Sequence, residues 1–311
     1  MTDKRRGKFI RDPGKTTFQM TDRDVEILKA LNRYRYMRTG QIHSLLFPNT
    51  ETKQPAARRL RNLYHHQFVS RATPYVKLGQ PMPEIAYYLG RKGRALLRDQ
   101  GVVVKYYRKS SEIKYQFLNH ALAISEFRVA LERAVEDLDN LILDRFIPDF
   151  EMKKEASAYA GRRRYLLCTE ITHPAYQKTF IVHPDALIKI DLRKDEKSAP
   201  LLLFLEVDQG TEGMERIRDK MTGYMLAIRQ GIFRHYGGDA PVLVLFQAHN
   251  EKRAQVIFEA LADHAGSAFV RVTHADQVKP DNLFFEKIWR RADGAYVSLY
   301  RPINGKHSAA R

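Results

Sequence analysis

An apolar run, Leu201-Leu202-Leu203-Phe204-Leu205, leads directly into Glu206-Val207-Asp208 and then breaks at Gly210. Strand side chains alternate faces, so Glu206 and Asp208 point the same way, at the end of a segment too apolar for a surface edge. Two carboxylates held side by side need a neutralising cation. Mg²⁺ takes one or two carboxylates together with waters and phosphate oxygens, and Mn²⁺ is the other candidate. Asp185 stands 21 residues before Glu206, in the stretch IVHPDALIKIDL, far enough for a hairpin to bring a third carboxylate beside the pair.

Past Gly210 the apolar residues change to a helical period, with Met214, Ile217, Met221, Met225 and Ile228 on one face. Thr211 is the expected cap, and Glu212 suits the positive first turn. The opposite stripe is Arg216, Lys220 and Tyr224. If the helix runs back antiparallel along the strand, Lys220 lies about 13.5 Å beyond Thr211 at roughly 1.5 Å per residue. Glu206 lies about 13 Å before Gly210 at roughly 3.3 Å per residue. Lys220 and Glu206 come out level, as do Arg216 and Asp208. Asp185, Glu206 and Asp208 with Lys220 then suit phosphodiester cleavage, in which a metal activates water and cations stabilise the charged transition state. The other reading keeps these acids as strand-end partners of nearby Arg and Lys. An exposed lysine contributes little to stability, so Lys220→Ala is expected to remove chemistry and leave folding intact.

These residues resemble the PD-(D/E)XK restriction-endonuclease-like superfamily. Pro184-Asp185 matches its PD, and Glu206-Val207-Asp208 its (D/E)XK, except that Asp208 stands where the superfamily carries its catalytic lysine. Some members place that lysine on the following helix, which makes Lys220 the replacement that the resemblance implies.

The elements around this constellation follow from composition and order. The chain has 311 residues, enough for about two domains. At 44% hydrophobic content it can build packed cores, and no apolar run reaches the roughly 18 residues of a membrane span. Cys168 is the single cysteine, which excludes an internal disulfide framework and a Cys-rich zinc site. No apolar h-region stands at the N-terminus, and the expectation is a cytoplasmic protein with no membrane partner. The net charge of +17 is concentrated. Residues 1–115 carry 25 Lys and Arg against 9 Asp and Glu, a net of +16, and the rest of the chain carries +1. Such asymmetry indicates a nucleic-acid-binding module joined to a near-neutral domain, with double-stranded DNA as the partner.

In chain order, residues 1–19 read as a basic flexible arm. Residues 20–101 read as a winged helix-turn-helix: helices from Thr21, over 39–47 and over 53–67, short strands at 68–71 and 84–89, and a helix over 91–100. The phrase AYYLGRKGRALL looks like the last strand and following helix of many winged-helix regulators. On that reading the third helix presents Gln54, Arg58, Arg59, Arg61 and Asn62 to DNA bases, and Arg71 and Lys77 in the wing meet phosphates. Residues 102–116 form a basic linker. Residues 117–300 read as one domain: a helix over 117–137, strands at 141–146, 179–191, 201–207, 242–247 and 269–273, and helices at 212–233 and 251–265. Gly161-Arg162-Arg163-Arg164 reads as a basic turn able to touch DNA. Residues 301–311 read as a flexible tail. The fold class is α/β (α+β), a winged helix followed by a restriction-endonuclease-like mixed-sheet domain.

The winged helix, the helix carrying NHALAISEFRVAL, the strand ending EVDQGTE, and Lys220 with Tyr224 on the next helix together resemble the replication-relaxation family of plasmid- and mobile-element-encoded proteins. That resemblance implies a DNA-acting role in replication, mobilisation or transfer, with other mobile-element proteins as partners and a homodimer as one assembly. It leaves open a metal-dependent DNA endonuclease or nickase and a non-catalytic accessory or transcriptional regulator whose endonuclease-like domain serves assembly.

Overall fold

The computed structural model describes residues 10–15, 18–74, 84–104, 115–136, 138–194 and 197–300. Lys77, most of the 102–116 linker, most of the 1–19 arm and the 301–311 tail lie outside the described residues. The chain divides into two compact units, residues 1–129 and 130–311.

In the first unit, α1 (Asp22–Tyr34) opens with a capping box: the Thr21 hydroxyl accepts from the Asp24 N–H, and the Asp24 carboxylate accepts from the Thr21 N–H at 2.9 Å. A two-residue strand β1 (Met37–Arg38) follows, then α2 (Thr39–Leu46) and α3 (Gln54–His65), with Pro55 in the first turn where no N–H is needed. The strands β2 (Val69–Ala72) and β3 (Ala86–Leu89) and the helix α4 (Arg91–Asp99) complete the set. β3 pairs with both β1 and β2, so the expected hairpin gains a third strand. Leu28, Leu31, Ile42, Leu60, Leu63, Val69, Leu89 and Leu97 form the core. α5 (Tyr115–Glu136) begins at the expected place. Its Leu118 and Leu122 pack on Tyr36, Ala86 and Tyr88, and its Val129 joins the core of the first unit. The division therefore falls within this helix, later in the chain than the basic linker.

The second unit is built on a seven-stranded mixed sheet. Its strands are β4 (Leu141–Pro148), β7 (Ala186–Lys194), β8 (Lys197–Asp208), β9 (Val242–Ala248), β10 (Val270–His274), β11 (Trp289–Arg290) and β12 (Tyr296–Val297), in the spatial order β12-β11-β10-β9-β8-β7-β4. β8–β9 and β9–β10 are parallel and the other pairs antiparallel. β5 (Thr169–Thr172) and β6 (Thr179–Val182) form a separate hairpin. The helices are α6 (Met214–Arg229), the single turn α7 (Arg234–Gly237), and α8 (Glu251–Leu261). Leu202, Phe204, Val244, Phe246, Val270 and Val272 share one core with Ile217, Met221, Tyr224, Ile257 and Leu261. That burial, roughly 1.5–3 kcal/mol for each fully buried large side chain, holds α6 and α8 to the sheet.

Two expected elements are corrected. The run over 179–191 is not one strand but β6 and β7, interrupted at His183-Pro184-Asp185, where Pro184 has no N–H for a ladder. The helix expected over 212–233 is α6, which starts after Gly213 and ends before Gly231, a glycine at φ 68°.

Candidate functional site

β8 delivers the acids. By strand alternation Glu206 and Asp208 continue the Leu202–Phe204 face onto which α6 packs, and both are buried, at 3% and 6% exposure. Glu206 accepts from the Tyr224 hydroxyl at 2.6 Å and from Lys220 Nζ at 2.8 Å. The expected levelling of Lys220 with Glu206 is therefore present. The companion pairing of Arg216 with Asp208 is not: Arg216 reaches Glu212 at 3.2 Å. Asp208 is gripped instead by Arg253, Nε to Oδ1 at 2.7 Å and Nη2 to Oδ2 at 2.9 Å, a bidentate pair. Gly210 N–H donates to the same Oδ1 at 2.7 Å, from a φ of 79° that a glycine adopts without strain. Glu212 ties the two acids' partners together, its carboxylate 2.8 Å from Lys220 Nζ and its carbonyl accepting from Arg253 at 2.6 Å. Thr211 does not cap the helix; Gly213 holds the cap position without a side-chain bond.

Asp185 lies just ahead of β7, and its Oδ2 accepts from the Val207 N–H at 2.7 Å, which seats it beside Glu206. Burial raises the Tyr224 phenol well above its ordinary value and Glu206 adds to this, so Tyr224 is a fixed donor and not a phenolate nucleophile. Burial works against the Lys220 ammonium, but Glu206, Asp185 and Glu212 outweigh it and hold the lysine charged. Burial likewise raises the Glu206 carboxyl, helped by Asp185 and opposed by Lys220 and Tyr224.

As arranged, this donor set does not fit Mg²⁺ or Mn²⁺. The oxygens of Glu206 and Asp208 are already engaged by Tyr224, Lys220, Arg253 and Gly210, and among the described residues no group of three or more His, Cys, Asp and Glu side chains is assembled for a metal. The cations that buried carboxylates need are supplied by the chain itself.

His183, beside Pro184-Asp185, bonds the Asp149 carbonyl through Nε2 at 3.0 Å and stacks on Tyr165. Burial pushes its imidazole below the ordinary histidine value, against the Asp149 carbonyl and Asp185. The folded state thus prefers the neutral ring. Its contribution to stability is complete above the unfolded-state value of about 6.5 and is lost as pH falls through the lower folded value. An NMR titration should find His183 titrating below the ordinary histidine value, and His183→Asn should flatten the acid-side loss of stability. An unchanged acid slope in that variant would assign the loss elsewhere.

In the first unit, α3 is the candidate nucleic-acid surface. Gln54, Arg58 and Arg61 are exposed and Asn62 is half-buried. Neither Arg58 nor Arg61 takes a side-chain hydrogen bond or ion pair among the described residues. Arg59 departs from this face. It turns inward to Asp24, which is fully buried, with Nε to Oδ1 at 2.8 Å, because a buried carboxylate requires a cation. Arg71 lies 3.9 Å over the Tyr64 ring, and Arg11 lies 4.3 Å from the same ring.

Residues 28–243 match the profile of the family described as replication-relaxation, well over half of the chain. The chain belongs to the replication-relaxation family. No curated protein and no solved structure matches it significantly. In this replication-relaxation protein the matched span takes in both the α3 surface and the acid cluster of β8 and α6. Arg253 lies beyond it, and sequence reasoning missed that residue. A signal was present, since arginine in a helix's first turn opposes the helix dipole and calls for a specific anionic partner.

Proposed function

We propose that this replication-relaxation protein is a DNA-binding protein of a mobile genetic element, acting in replication, mobilisation or transfer. Residues 20–101 form a winged helix-turn-helix that reads duplex DNA with Gln54, Arg58, Arg61 and Asn62 of α3. The second unit is an endonuclease-like platform without cleavage activity, serving assembly with other element-encoded proteins. The observation that carries the DNA-binding reading is the pair Arg58 and Arg61, exposed on α3 and without ion-pair partners among the described residues, in a segment carrying a net +16 over residues 1–115. Structural arginines are paired, as Arg59 is; unpaired ones on one helix face are suited to phosphates and guanine edges. The platform reading is supported by the internal pairing of Glu206 and Asp208.

A second reading draws on one specific contact. Lys220 and Glu206 meet beside Asp185, which is the grouping of residues the PD-(D/E)XK resemblance asks for. In that reading Asp185 and Glu206 would hold a metal that supplies Lewis-acid activation of water, Lys220 would contact a phosphate, and Asp208 would remain with Arg253.

One set of measurements separates these. Duplex binding by fluorescence anisotropy across a salt series should weaken steeply with salt, and Arg58→Ala with Arg61→Ala should lower duplex affinity about tenfold or more and flatten the log–log slope by roughly 0.9 for each of the two that meets a phosphate. Supercoiled plasmid with Mg²⁺, Mn²⁺ or EDTA should stay supercoiled. Unchanged affinity across the salt series removes α3 as the DNA surface. Metal-dependent nicking that disappears in Glu206→Gln replaces the platform reading with the catalytic one.

A further inference from the structure

Between β4 and β5 the chain leaves the large sheet and makes an exposed excursion that ends in a single basic turn, Gly161–Arg164. The turn is firmly anchored. Lys153 N–H donates to the Arg164 carbonyl at 3.0 Å, Leu166 N–H to the Glu151 carbonyl at 2.7 Å, and the next residues, Leu167 and Cys168, are buried. Three adjacent guanidinium groups are thereby held at the surface, where they repel one another. Glu170 neutralises one of them, gripping Arg163 with bonds of 2.6 and 2.9 Å. Arg164 spends only its Nε, on the Gly161 carbonyl at 3.0 Å, and keeps its two terminal NH2 groups. Arg162 makes no side-chain hydrogen bond or ion pair among the described residues.

The position of the turn makes these spare donors informative. Tyr165, the residue after the turn, stacks on His183 with ring centres 5.5 Å apart and planes 14° from parallel. His183 leads through Pro184 into Asp185, whose carbonyl accepts from the Asp149 N–H at 2.9 Å. The turn therefore flanks the Asp185 side of the acid cluster. Those acids have no need of it, since Lys220 and Arg253 already neutralise Glu206 and Asp208. Guanidinium forks matched to no internal anion match phosphate oxygens.

We propose that the Gly161–Arg164 turn is a second DNA contact, in which Arg162 and Arg164 hold the phosphate backbone alongside Asp185 and Glu206. It gives the near-neutral second unit its own grip on duplex DNA, separate from base reading by α3. The inference rests on the DNA-binding reading above and adds a partner for the second unit.

The test uses the full chain and duplex DNA in a salt series. Arg162→Ala with Arg164→Ala should make the log–log slope shallower by about 1.8, for two phosphate contacts at roughly 0.9 each. The charge-matched control Lys279→Ala with Lys287→Ala, which removes two exposed lysines of the same unit, should leave the slope unchanged. The charge-keeping pair Arg162→Lys with Arg164→Lys should retain most of it, which guards against loss of folding in the alanine variant. In the Arg58→Ala, Arg61→Ala chain, the remaining salt-dependent binding should fall again when Arg162 and Arg164 are removed. If the turn variant and the lysine control behave alike, the contact is refuted. If the α3 variant also keeps full affinity across the salt series, the DNA-binding reading fails first.

Discussion

Lys220→Ala should destabilise the second unit by about 3–5 kcal/mol, the loss expected when one partner of a buried ion pair is removed. The Lys220 side chain is 22% exposed and that of Glu206 only 4%, with the two groups 2.8 Å apart. Without the ammonium, Glu206 keeps the Tyr224 hydroxyl but remains a buried carboxylate with Asp185 beside it. It must then take up a proton or reopen its surroundings to water. Reading Lys220 as an exposed lysine predicts almost no effect, so the measurement decides between the two descriptions. Lys220→Met combined with Glu206→Gln should recover most of the loss, because no unpaired charge is left inside. Urea unfolding of the three chains measures this directly, and a Lys220→Ala loss under about 1 kcal/mol would contradict the ion pair.

Gly93→Ala should destabilise the first unit at the upper end of the roughly 1–3 kcal/mol that overpacking costs. Helix propensity alone predicts the opposite sign, a gain of about 1 kcal/mol for replacing a helical glycine. Packing wins here, because a methyl on Gly93 would overlap the Phe68 carbonyl oxygen and press on the Leu28 side chain at 3.2 Å. The backbone cannot retreat easily, since Gly90 N–H donates to that same carbonyl at 2.8 Å. Arg98→Ala, on the exposed side of α4, should stay within about 0.5 kcal/mol and serves as the reference. A stabilised Gly93→Ala would mean that α4 stands further from β2 than described.

Two expectations that rest on local geometry hold. Thr21 caps α1 because a threonine followed three residues later by an acid satisfies two backbone donors at once. Lys220 meets Glu206 because a helix and a strand that leave one turn antiparallel advance at known rates. A third, the Thr211 cap, gives way to Gly213 two residues later, and two further expectations fail because they need a partner distant in the chain. Arg59 was placed on the exposed face of α3 because nothing local marks Asp24 as a buried acid, 35 residues away, that requires a cation. Arg253 arrives at Asp208 from the far end of a parallel crossover, 45 residues on, and displaces the expected Arg216. His183-Pro184-Asp185 interrupts a run whose apolar pattern continues on both sides, so composition alone hid the change from the β5–β6 hairpin to the large sheet.

The parallel pairing at the middle of that sheet sets the order in which the unit can fold. β4, β7 and β8 join as antiparallel neighbours, but β8 reaches β9 only after all of α6 and α7 has been made, and β9 reaches β10 only after α8. Loop closure over such separations is slow. Until it is complete, Leu201–Leu205 has one open strand edge beyond its pairing with β7 and Val242–Phe246 is unpaired, both apolar and of high strand propensity and free to pair with other chains. Yield of the recombinant protein should therefore depend on refolding concentration and synthesis rate more than on final stability, and a chain truncated before α8 should accumulate as aggregate.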